Sequence, residues 1–424
     1  MKKIVVIGGG AAGMMAALQS AAGGHNVILL EKNEKLGKKL FITGKGRCNI
    51  TNACDVSDLF SNVVTNPKFL YSAFYGFSNA DVISFFEDLG LKIKKERGNR
   101  VFPASDKSSD VIKVLERECR HRGVQIRLNT EVKDLLAEER EIAGSKGISE
   151  TKKTIKGVSL KDGRRILADA VVLASGGVSY PATGSTGDGY HMAEHAGHTI
   201  IPVRPGLTGM LVKEDTASRL QGLTLKNCSV FITGDKKQNK HLFEGMGELL
   251  FTHYGVSGPL ILTASSLVGN FMDDQELELH IDLKPALSAE QLDKRILRDF
   301  DAAPNLDIKN ALIHLLPKSL IPVMLSLCDI REHEKVNHIS REQRGQLRDT
   351  CKDLVLTLAG LRPIEEAIIT RGGIKISEVD PATMASKKAD GLYFAGEILD
   401  LDALTGGFNL QIAWSTGYAA GNNV

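Results

Sequence analysis

The sequence predicts an α/β fold that begins with a strand–helix–strand unit. Its first apolar run, residues 3–7, leads into three glycines and then into a stretch rich in alanine and methionine. A second apolar run, residues 25–30, ends at Glu31. A strand, a glycine turn, a helix and a strand within about thirty residues are typical of a βαβ nucleotide-binding half. Two apolar runs far along the chain, at 170–174 and 392–395, also enter glycine-rich turns, which predicts two more strands there.

The segments between these runs complete the order of elements. Helices with an apolar face are expected within 66–91 and over 108–122. Short β runs between them and the strand at 170–174 predict an antiparallel meander that returns to a buried strand. After Pro202 short alternating runs predict a β-rich region over 203–285, and over 288–360 the apolar period is mostly helical. A final helix is expected at the C-terminal end.

The composition limits the classes of function. The formal net charge is +2, so contact with RNA is neither indicated nor excluded, and no stable DNA binding is indicated. No apolar run approaches the ~18 residues of a membrane span, and glycines interrupt the apolar start too early for an export signal. The 6 cysteines are scattered without metal-ligand spacing. We therefore expect a cytoplasmic protein with free thiols, no metal site and no membrane association.

The turn after the first strand, GGGAAG, has the spacing of a dinucleotide-binding fingerprint. In this pattern Gly8 allows the tight turn, and Gly10 lets the backbone approach a pyrophosphate. Gly13 allows the helix to pack closely on the strand. The helix begins at Ala11 and Ala12, and its N-terminus supplies unpaired N–H donors. The sequence therefore predicts a dinucleotide site at this turn.

The acid after the second strand narrows the choice of ligand. Glu31 stands where a carboxylate can accept hydrogen bonds from both hydroxyls of a ribose. It would repel a 2′-phosphate, so FAD or NAD is expected rather than NADP. The later glycine turns, within 173–190 and 392–417, favour FAD because a ligand that needs the first strand and the last is long. Glu397 can then accept from the ribityl hydroxyls, and the helix after Gly407 can direct its N–H groups at the flavin pyrimidine carbonyl.

The segment GKKLFITGKGRCNITN, residues 37–52, admits three interpretations: a phosphate loop, a nucleic-acid loop or a redox centre. A P-loop is excluded, because G-x-x-x-x-G-K-[ST] would require glycine at Lys39 and serine or threonine at Gly46. The segment follows Glu31 closely, so its glycines and cations are expected to run along the diphosphate towards the flavin. The nucleic-acid interpretation is thereby disfavoured, and the redox interpretation narrows to Cys48.

Two side chains are candidates for catalysis. A redox disulfide between Cys48 and Cys54 is disfavoured, because five residues separate them where disulfide reductases have four. Cys48 alone could pack near the flavin, donate a proton to it, or serve the core, and Arg47 would lower its pKa if the thiol were exposed. His253, beside Tyr254 in a glycine-bearing turn, could protonate a substrate or only hydrogen-bond within the turn.

The motifs TGKGRCN, SYPATGSTGDGY, LFTHYGVSGP, TMASKKADGLYFAGEILD and GGFNLQ occur in this order. In this the chain resembles the BaiN/RdsA-type (YhiN-like) NAD(P)/FAD-dependent oxidoreductases, within the glutathione-reductase-like flavoprotein superfamily, over essentially its whole length. The resemblance implies a glutathione-reductase-like FAD-binding Rossmann domain formed by 1–201 and 372–424. It also implies a β-barrel-like inserted domain, 202–286 and 352–371, and a helical inserted domain, 287–351.

The resemblance further implies a set of cofactor contacts. One departure is visible, because Gly396 is followed by Glu397 where the superfamily has aspartate, which leaves the ribityl hydrogen bond open. The implied contacts are Gly10, Ala12, Glu31 and Lys32 for the adenosine and pyrophosphate; Lys39, Gly44, Arg47 and Cys48 for the path to the flavin; Val132 for the adenine; Ser175, Gly176 and Thr186 for the middle of the cofactor; Gly396 and Glu397 for the ribityl chain; and Asn409, Leu410 and Gln411 for the ring.

The same resemblance implies the reaction. Hydride would pass from NADH or NADPH through flavin N5 to an activated C=C bond of an organic or nucleobase acceptor, since family members are linked to steroid-type enones and to a uridine of ribosomal RNA. Two alternatives stay open: a flavin oxidase or dehydrogenase of another small molecule, and a flavin-bearing RNA-binding protein. The expected partners are FAD, a transient nicotinamide reductant, and a small-molecule or RNA-nucleobase substrate.

Overall fold

The chain, described by a computed structural model, forms two compact units. The first unit combines the two ends of the chain, Met1–Gly206 and Ile364–Val424, and the second is the intervening Leu207–Pro363. The expected division into three domains, with the insert split into a β-rich and a helical part, stays a prediction. The residues that the structure describes are 1–143, 149–234 and 241–424.

The N-terminal part of the first unit alternates strands and helices, and it contains the predicted opening strand (β1), the helix after the glycines (α1) and the amphipathic helix from residue 108 (α6). Its strands are β1 (Lys3–Ile7), β2 (Asn26–Leu30), β3 (Thr51–Asn52), β4 (Val63–Thr65), β5 (Ile93–Glu96), β6 (Arg100–Pro103), β7 (Gln125–Arg127), β8 (Val132–Ala143), β9 (Ser149–Leu160), β10 (Arg165–Leu167), β11 (Ala170–Leu173) and β12 (Ile200–Gly206). Its helices are α1 (Ala11–Ala22), α2 (Lys38–Ile42), α3 (Val56–Ser61), α4 (Tyr71–Gly76), α5 (Asn79–Asp88), α6 (Ser108–His121) and α7 (Asp188–His195).

The second unit is a β-barrel with helices, and buried side chains of both parts belong to one hydrophobic core. Its strands are β13 (Met210–Val212), β14 (Thr224–Thr233), β15 (His241–Thr252), β16 (Gly255–Ser257), β17 (Leu277–Asp282) and β18 (Leu354–Leu361). Its helices are α8 (Thr216–Arg219), α9 (Pro259–Val268), α10 (Ala289–Asp301), α11 (Ile308–Ala311), α12 (Ile321–Leu327) and α13 (Arg341–Lys352). The barrel closes in the order β13-β16-β15-β14-β17-β18, which confirms the expected barrel-like insert. The helical expectation for 288–360 is wrong over its last residues, which form β18, because Leu354, Leu356 and Leu358 alternate into the barrel core.

The chain returns to the first unit for its last elements. The last elements are β19 (Ile369–Ile374), β20 (Ala389–Asp390), β21 (Leu392–Phe394), β22 (Asp402–Ala403) and α14 (Phe408–Asn423).

Among the described residues, no helix of either unit has the length and apolar character that a membrane crossing needs. The cytoplasmic location stays a prediction.

A five-stranded sheet positions the site. Its order is β21-β11-β1-β2-β7, and all neighbours are parallel. The strands are short, rich in valine, isoleucine and leucine, and almost wholly buried in β1, β2 and β11, as expected for a parallel sheet covered on both faces. Because parallel strands end at one edge, the turns after β1, β2, β11 and β21 lie together there. The three strands predicted before glycine turns are thereby confirmed.

Helices α1 and α14 pack against each other through small residues. A Cβ added to Gly417 would lie 2.5 Å from the carbonyl oxygen of Ala12, and one added to Gly421 would lie 2.5 Å from that of Ala16. Since the contacts advance in the same direction along both helices, α1 and α14 are parallel. Glycine at these positions lets the two backbones approach closely.

Candidate cofactor site

The glycines after β1 divide into structural positions and one open position. Gly8 has φ +103°, and a Cβ on Gly13 would lie 1.9 Å from the carbonyl oxygen of Gly8, so these two residues form the tight turn and the close helix contact. A Cβ on Gly10 would meet no atom within 4 Å. The packing of the chain therefore does not require glycine at position 10, whereas a ligand that approaches the backbone there would.

The first N–H groups of α1 have no hydrogen-bond acceptor within the helix. Gly10 is the N-cap and has no side chain to bond them, and the first backbone bond of the helix runs from the Met14 N–H to the Gly10 carbonyl. The N–H groups of Ala11, Ala12 and Gly13 consequently lack an acceptor within the helix. Three such donors and the positive end of the helix dipole, over an uncovered glycine, are suited to bind a diphosphate.

Glu31 follows β2 and is only 8% exposed. Its Oε2 accepts from the Gly9 N–H at 2.8 Å, and its Oε1 accepts from the backbone N–H and the side-chain amide of Asn33 at 2.9 and 2.7 Å. A carboxylate has about four acceptor sites, so Oε2 retains capacity for ribose hydroxyls. The neighbouring Lys32 donates to Thr186, so two residues that the resemblance implies as cofactor contacts are bonded to each other. Lys32 also donates to Asp188.

A second cluster surrounds Glu397, directly after β21. Lys39 of α2 donates to both carboxylate oxygens of Glu397, at 2.7 and 2.6 Å. Oε1 also accepts from the Thr370 N–H at 2.8 Å and from the Ser179 hydroxyl at 3.3 Å. Oε2 has room for a further donor, and it lies 3.9 Å from where a Cβ on Gly176 would stand. A ribityl hydroxyl would thus share Oε2 with Lys39.

Residues between the two clusters are close to both. A Cβ on Gly396 would lie 2.7 Å from the Cβ of Ala12, so the turn after β21 touches the start of α1. The hydroxyl of Ser175 is buried and has no hydrogen-bond partner in the described structure. Buried hydroxyls are nearly always bonded, so this group has an unused capacity at the point where the resemblance places the middle of the cofactor.

The start of α14 offers backbone groups only. The Asn409 side chain bonds to the backbone N–H and carbonyl of Ala403, and the buried Gln411 amide bonds to Thr51 and to the Phe77 carbonyl. The Gln411 N–H is also taken, because it donates to the Gly407 carbonyl at 3.0 Å. At the implied ring contacts, the donors left to a ligand are therefore the N–H groups of Asn409 and Leu410 in the first helical turn. Gly407, the N-cap with φ +102°, presses on the backbone of Thr51 and cannot carry a side chain.

The N-termini of the two parallel helices are offset along the helix axis. Gly417 of α14 lies beside Ala12 of α1. α14 begins nine residues before Gly417, at Phe408, whereas α1 begins only one residue before Ala12, at Ala11. At 1.5 Å per residue, the start of α14 lies about 12 Å beyond that of α1 along their common direction. A ligand with a diphosphate at one end of this interval and an electron-accepting ring at the other fits both donor sets. FAD has this form.

Arg47, implied as a cofactor contact, is bonded elsewhere. Its guanidinium donates to Asp106 at 2.7 Å and to Glu96, and it lies 4.1 Å from the centroid of the Phe102 ring. Hydrogen bonds from Arg47 and, to a smaller extent, from Lys94 lower the pKa of Glu96. Hydrogen bonds from Lys94 and then Arg47 lower the pKa of Asp106. These bonds anchor the loop that contains Gly44 to the β5–β6 hairpin, and a role of Arg47 at the cofactor stays a prediction.

Cys48 is fully buried, with φ +59°. Burial raises the pKa of its thiol to about 12, so the expected lowering by an adjacent arginine does not occur, because the thiol is not exposed and Arg47 is paired with carboxylates. A neutral, buried thiol favours the packing interpretation over a reactive thiolate. All 6 cysteines, including Cys54, are free thiols.

Val132 and His253 are the two remaining predicted residues. Val132 begins β8 and is buried, two residues after Thr130, whose N–H bonds to the Glu31 carbonyl at 2.9 Å. His253 belongs to the second unit, between β15 and β16, where its ring meets that of Tyr254 edge-on at 5.0 Å. Its catalytic role stays a prediction.

The sequence reasoning missed the partners that hold the two carboxylates. Asn33 bonds Glu31, and Ser179 and Thr370 bond Glu397. Ser179 lies within the motif SYPATG, which could have indicated it. Thr370 has no local signal, since its strand reaches Glu397 only through the fold.

Comparison with known proteins shows the family of the chain. Residues 2–423 match the family described as HI0933-like protein Rossmann domain. The chain is 34% identical to the 3-dehydro-bile acid delta(4,6)-reductase of Clostridium scindens, over 93% of this chain and 91% of the relative. It is 30% identical to the ribosomal RNA dihydrouridine synthase of Escherichia coli, over 94% of this chain and 92% of the relative.

Solved structures share the fold. The 3-ketosteroid delta1-dehydrogenase of Sterolibacterium denitrificans superposes with a TM-score of 0.51 at 12% identity, over 99% of this chain and 98% of the other. Together with the family match, these findings confirm the predicted Rossmann-type α/β fold, the predicted family and an enzyme of the oxidoreductase class. The chain belongs to the HI0933-like family of FAD-dependent oxidoreductases.

Proposed function

We propose that this chain takes hydride from NADH or NADPH and delivers it, through bound FAD, to a C=C bond conjugated to a carbonyl group. The acceptor is a small organic molecule or a nucleobase. Two relatives support this choice, because the name of one describes a delta(4,6)-reductase and the name of the other a dihydrouridine synthase. Both names describe the saturation of a ring C=C bond.

The observation that carries the proposal is the pair of uncapped helix N-termini, α1 and α14, about 12 Å apart along one direction. FAD, when bound, supplies the two-electron carrier between the nicotinamide and the acceptor. The N–H groups at the start of α1 hold the diphosphate, and Glu31 holds the adenosine ribose. Lys39 and Glu397 orient the ribityl chain.

Backbone donors at α14 contribute to the chemistry. The free N–H groups of Phe408, Asn409 and Leu410, after Gly407, would hold the pyrimidine side of the ring and would stabilise the negative charge that reduction adds there. No side chain of this turn competes, because those of Asn409 and Gln411 are bonded within the protein. The helix end thus favours the reduced state without supplying a proton.

The test is anaerobic mixing of the purified protein with NADH and, separately, with NADPH, while flavin absorbance is followed. Bleaching by either reductant is the expected result, followed by reoxidation when a 3-keto-4-ene steroid or a uridine-containing ribosomal RNA fragment is added. Protein that contains no flavin, or flavin that neither reductant bleaches, would contradict the proposal. Reoxidation by air as fast as by any acceptor would favour the oxidase alternative instead.

The two acceptor classes are separated by the same assay. A steroid that reoxidises the enzyme while the RNA fragment does not indicates a small-molecule reductase, and the reverse result indicates an RNA-modifying enzyme. Binding of RNA without reoxidation, equal for any polyanion and lost with added salt, would show only non-specific contact.

A further inference from the structure

A buried ion pair next to the site has no role in the account above. Asp402 of β22 is completely buried, and neither of its carboxylate oxygens has a hydrogen-bond partner in the described structure. Its ion-pair partner is Arg371 of β19, whose Nε lies 3.4 Å from Oδ2 and is itself buried without a hydrogen bond. The Arg371 side chain is 12% exposed.

Such a pair is costly to maintain for stability alone. Buried carboxylates need hydrogen bonds as well as a counter-ion to offset their desolvation. Burial raises the pKa of Asp402, and Thr65 and Arg371 only oppose this effect. In most native proteins, polar atoms as deeply buried as these are bonded to protein or to an ordered partner.

The strand pairing adds positive charge to the same place. Arg371 stands directly opposite Arg204 of β12 in the antiparallel ladder, so both side chains leave the same face. This face of the ladder therefore carries the guanidinium groups of two neighbouring strands.

The pair flanks the connection between β21 and α14. Thr370, adjacent to Arg371, donates its N–H to Glu397. On the other side, a Cβ on Gly373 would lie 2.5 Å from the carbonyl oxygen of Ile398, so β19 packs closely against this connection. Asp402 lies within the connection, between Glu397 and the start of α14, where the proposed function places the flavin end of the site.

We propose that Arg371, oriented by Asp402, binds the carbonyl oxygen of an α,β-unsaturated carbonyl acceptor. The inference rests on the proposed function and names the group that makes the C=C bond reactive. Hydride adds to the β-carbon and forms a C–H bond, and the π electrons move onto the carbonyl oxygen. Arg371 stabilises the resulting enolate oxygen, because a guanidinium presents a planar fork of donors in a site shielded from water. The α-carbon then takes a proton from solvent and the carbonyl re-forms, while the two electrons come from the nicotinamide reductant.

An enolate mimic tests the assignment without turnover. Binding of p-nitrophenolate to the FAD-loaded protein is measured by equilibrium dialysis, beside p-nitroanisole, which has the same ring but cannot carry the charge. Wild-type protein is expected to prefer the phenolate. Arg371→Met is expected to weaken phenolate binding by at least about tenfold, because a charge-assisted hydrogen bond is lost, and to leave anisole binding unchanged. Arg164→Met removes an exposed arginine paired with Asp162 and serves as the matched control.

Each outcome has a defined meaning. Wild-type protein that does not prefer the phenolate, or an Arg371→Met protein that binds it as tightly as wild type, overturns the proposal. Equal loss of both ligands also overturns it, since that indicates a packing defect. If the Arg371→Met protein does not retain FAD, phenolate binding is measured on the Arg371→Lys protein instead. Phenolate binding equal to wild type in that protein would refute the need for the guanidinium fork. Failure of NADH and NADPH to bleach the flavin affects the proposed function alone, because dialysis needs no reductant.

Discussion

Replacement of Gly10 by alanine separates binding from folding at the fingerprint. A Cβ at position 10 meets no atom within 4 Å, and the backbone there has φ −83°, which alanine adopts freely. We expect the apo protein to lose at most about 1 kcal/mol of stability, since alanine is a poorer N-cap than glycine. The added methyl group would stand over the donors of α1, where the diphosphate is proposed to bind.

The expected loss of FAD affinity follows from overpacking. A methyl group forced into an occupied space costs about 1–3 kcal/mol, which corresponds to a rise in Kd of about fivefold to 150-fold. Affinity is measured by titrating apo protein with FAD and following the quenching of flavin fluorescence. Stability is measured on the same apo protein by thermal unfolding.

The matched variant is Gly13→Ala, in the same turn. Its Cβ would lie 1.9 Å from the carbonyl oxygen of Gly8, so helix and strand would have to separate, and we expect a large fall in the unfolding temperature of the apo protein. A Gly10→Ala protein that binds FAD with the wild-type Kd would refute the placement of the diphosphate. If the Gly10→Ala protein is as unstable as the Gly13→Ala protein, the distinction between the two glycines is refuted.

Three further changes test other parts of the first unit. Glu31→Ala is expected to purify with little FAD, because the ribose loses charge-assisted hydrogen bonds of about 1.5–3 kcal/mol; normal flavin absorbance would show that the ribose lies elsewhere. Arg47→Met should speed tryptic cleavage at Lys45, since the loop then loses its bonds to Glu96 and Asp106, and an unchanged cleavage pattern would contradict this anchoring role. Burial lowers the pKa of His198 to about 4 from 6.5, so only the unfolded chain gains a proton between these values. Stability should therefore fall by about 3 kcal/mol as pH drops through that window, and His198→Gln should remove the slope in urea titrations; an identical slope would assign it to other groups.

Sequence-local features were predictable because their cause is local. The fingerprint from Gly8 to Gly13 requires only a strand, a turn and a helix in succession, and Glu31 is placed by the next strand. Burial of β1 and β11 follows from runs of β-branched and aliphatic residues. The order of the motifs likewise identified the family.

Side-chain partners far apart in the chain were not predictable. Lys39 and Glu397 meet although 358 residues separate them, and their ion pair changes how much of the carboxylate a ligand can use. Arg47 donates to Glu96 and Asp106, because the β5–β6 hairpin folds against its loop. No periodicity or spacing encodes such contacts.

The sequence by itself determined that a βαβ unit starts the fold, and it predicted a long ligand that contacts both ends of the chain. The tertiary structure alone decided which groups remain available to that ligand. It buries the Cys48 thiol, so that desolvation keeps the thiol protonated, and it leaves Gly10 uncovered at the start of α1. It also brings Arg371 to Asp402. The physical reason is that backbone patterns act over a few residues, whereas burial and charge pairing depend on every segment that packs around a group.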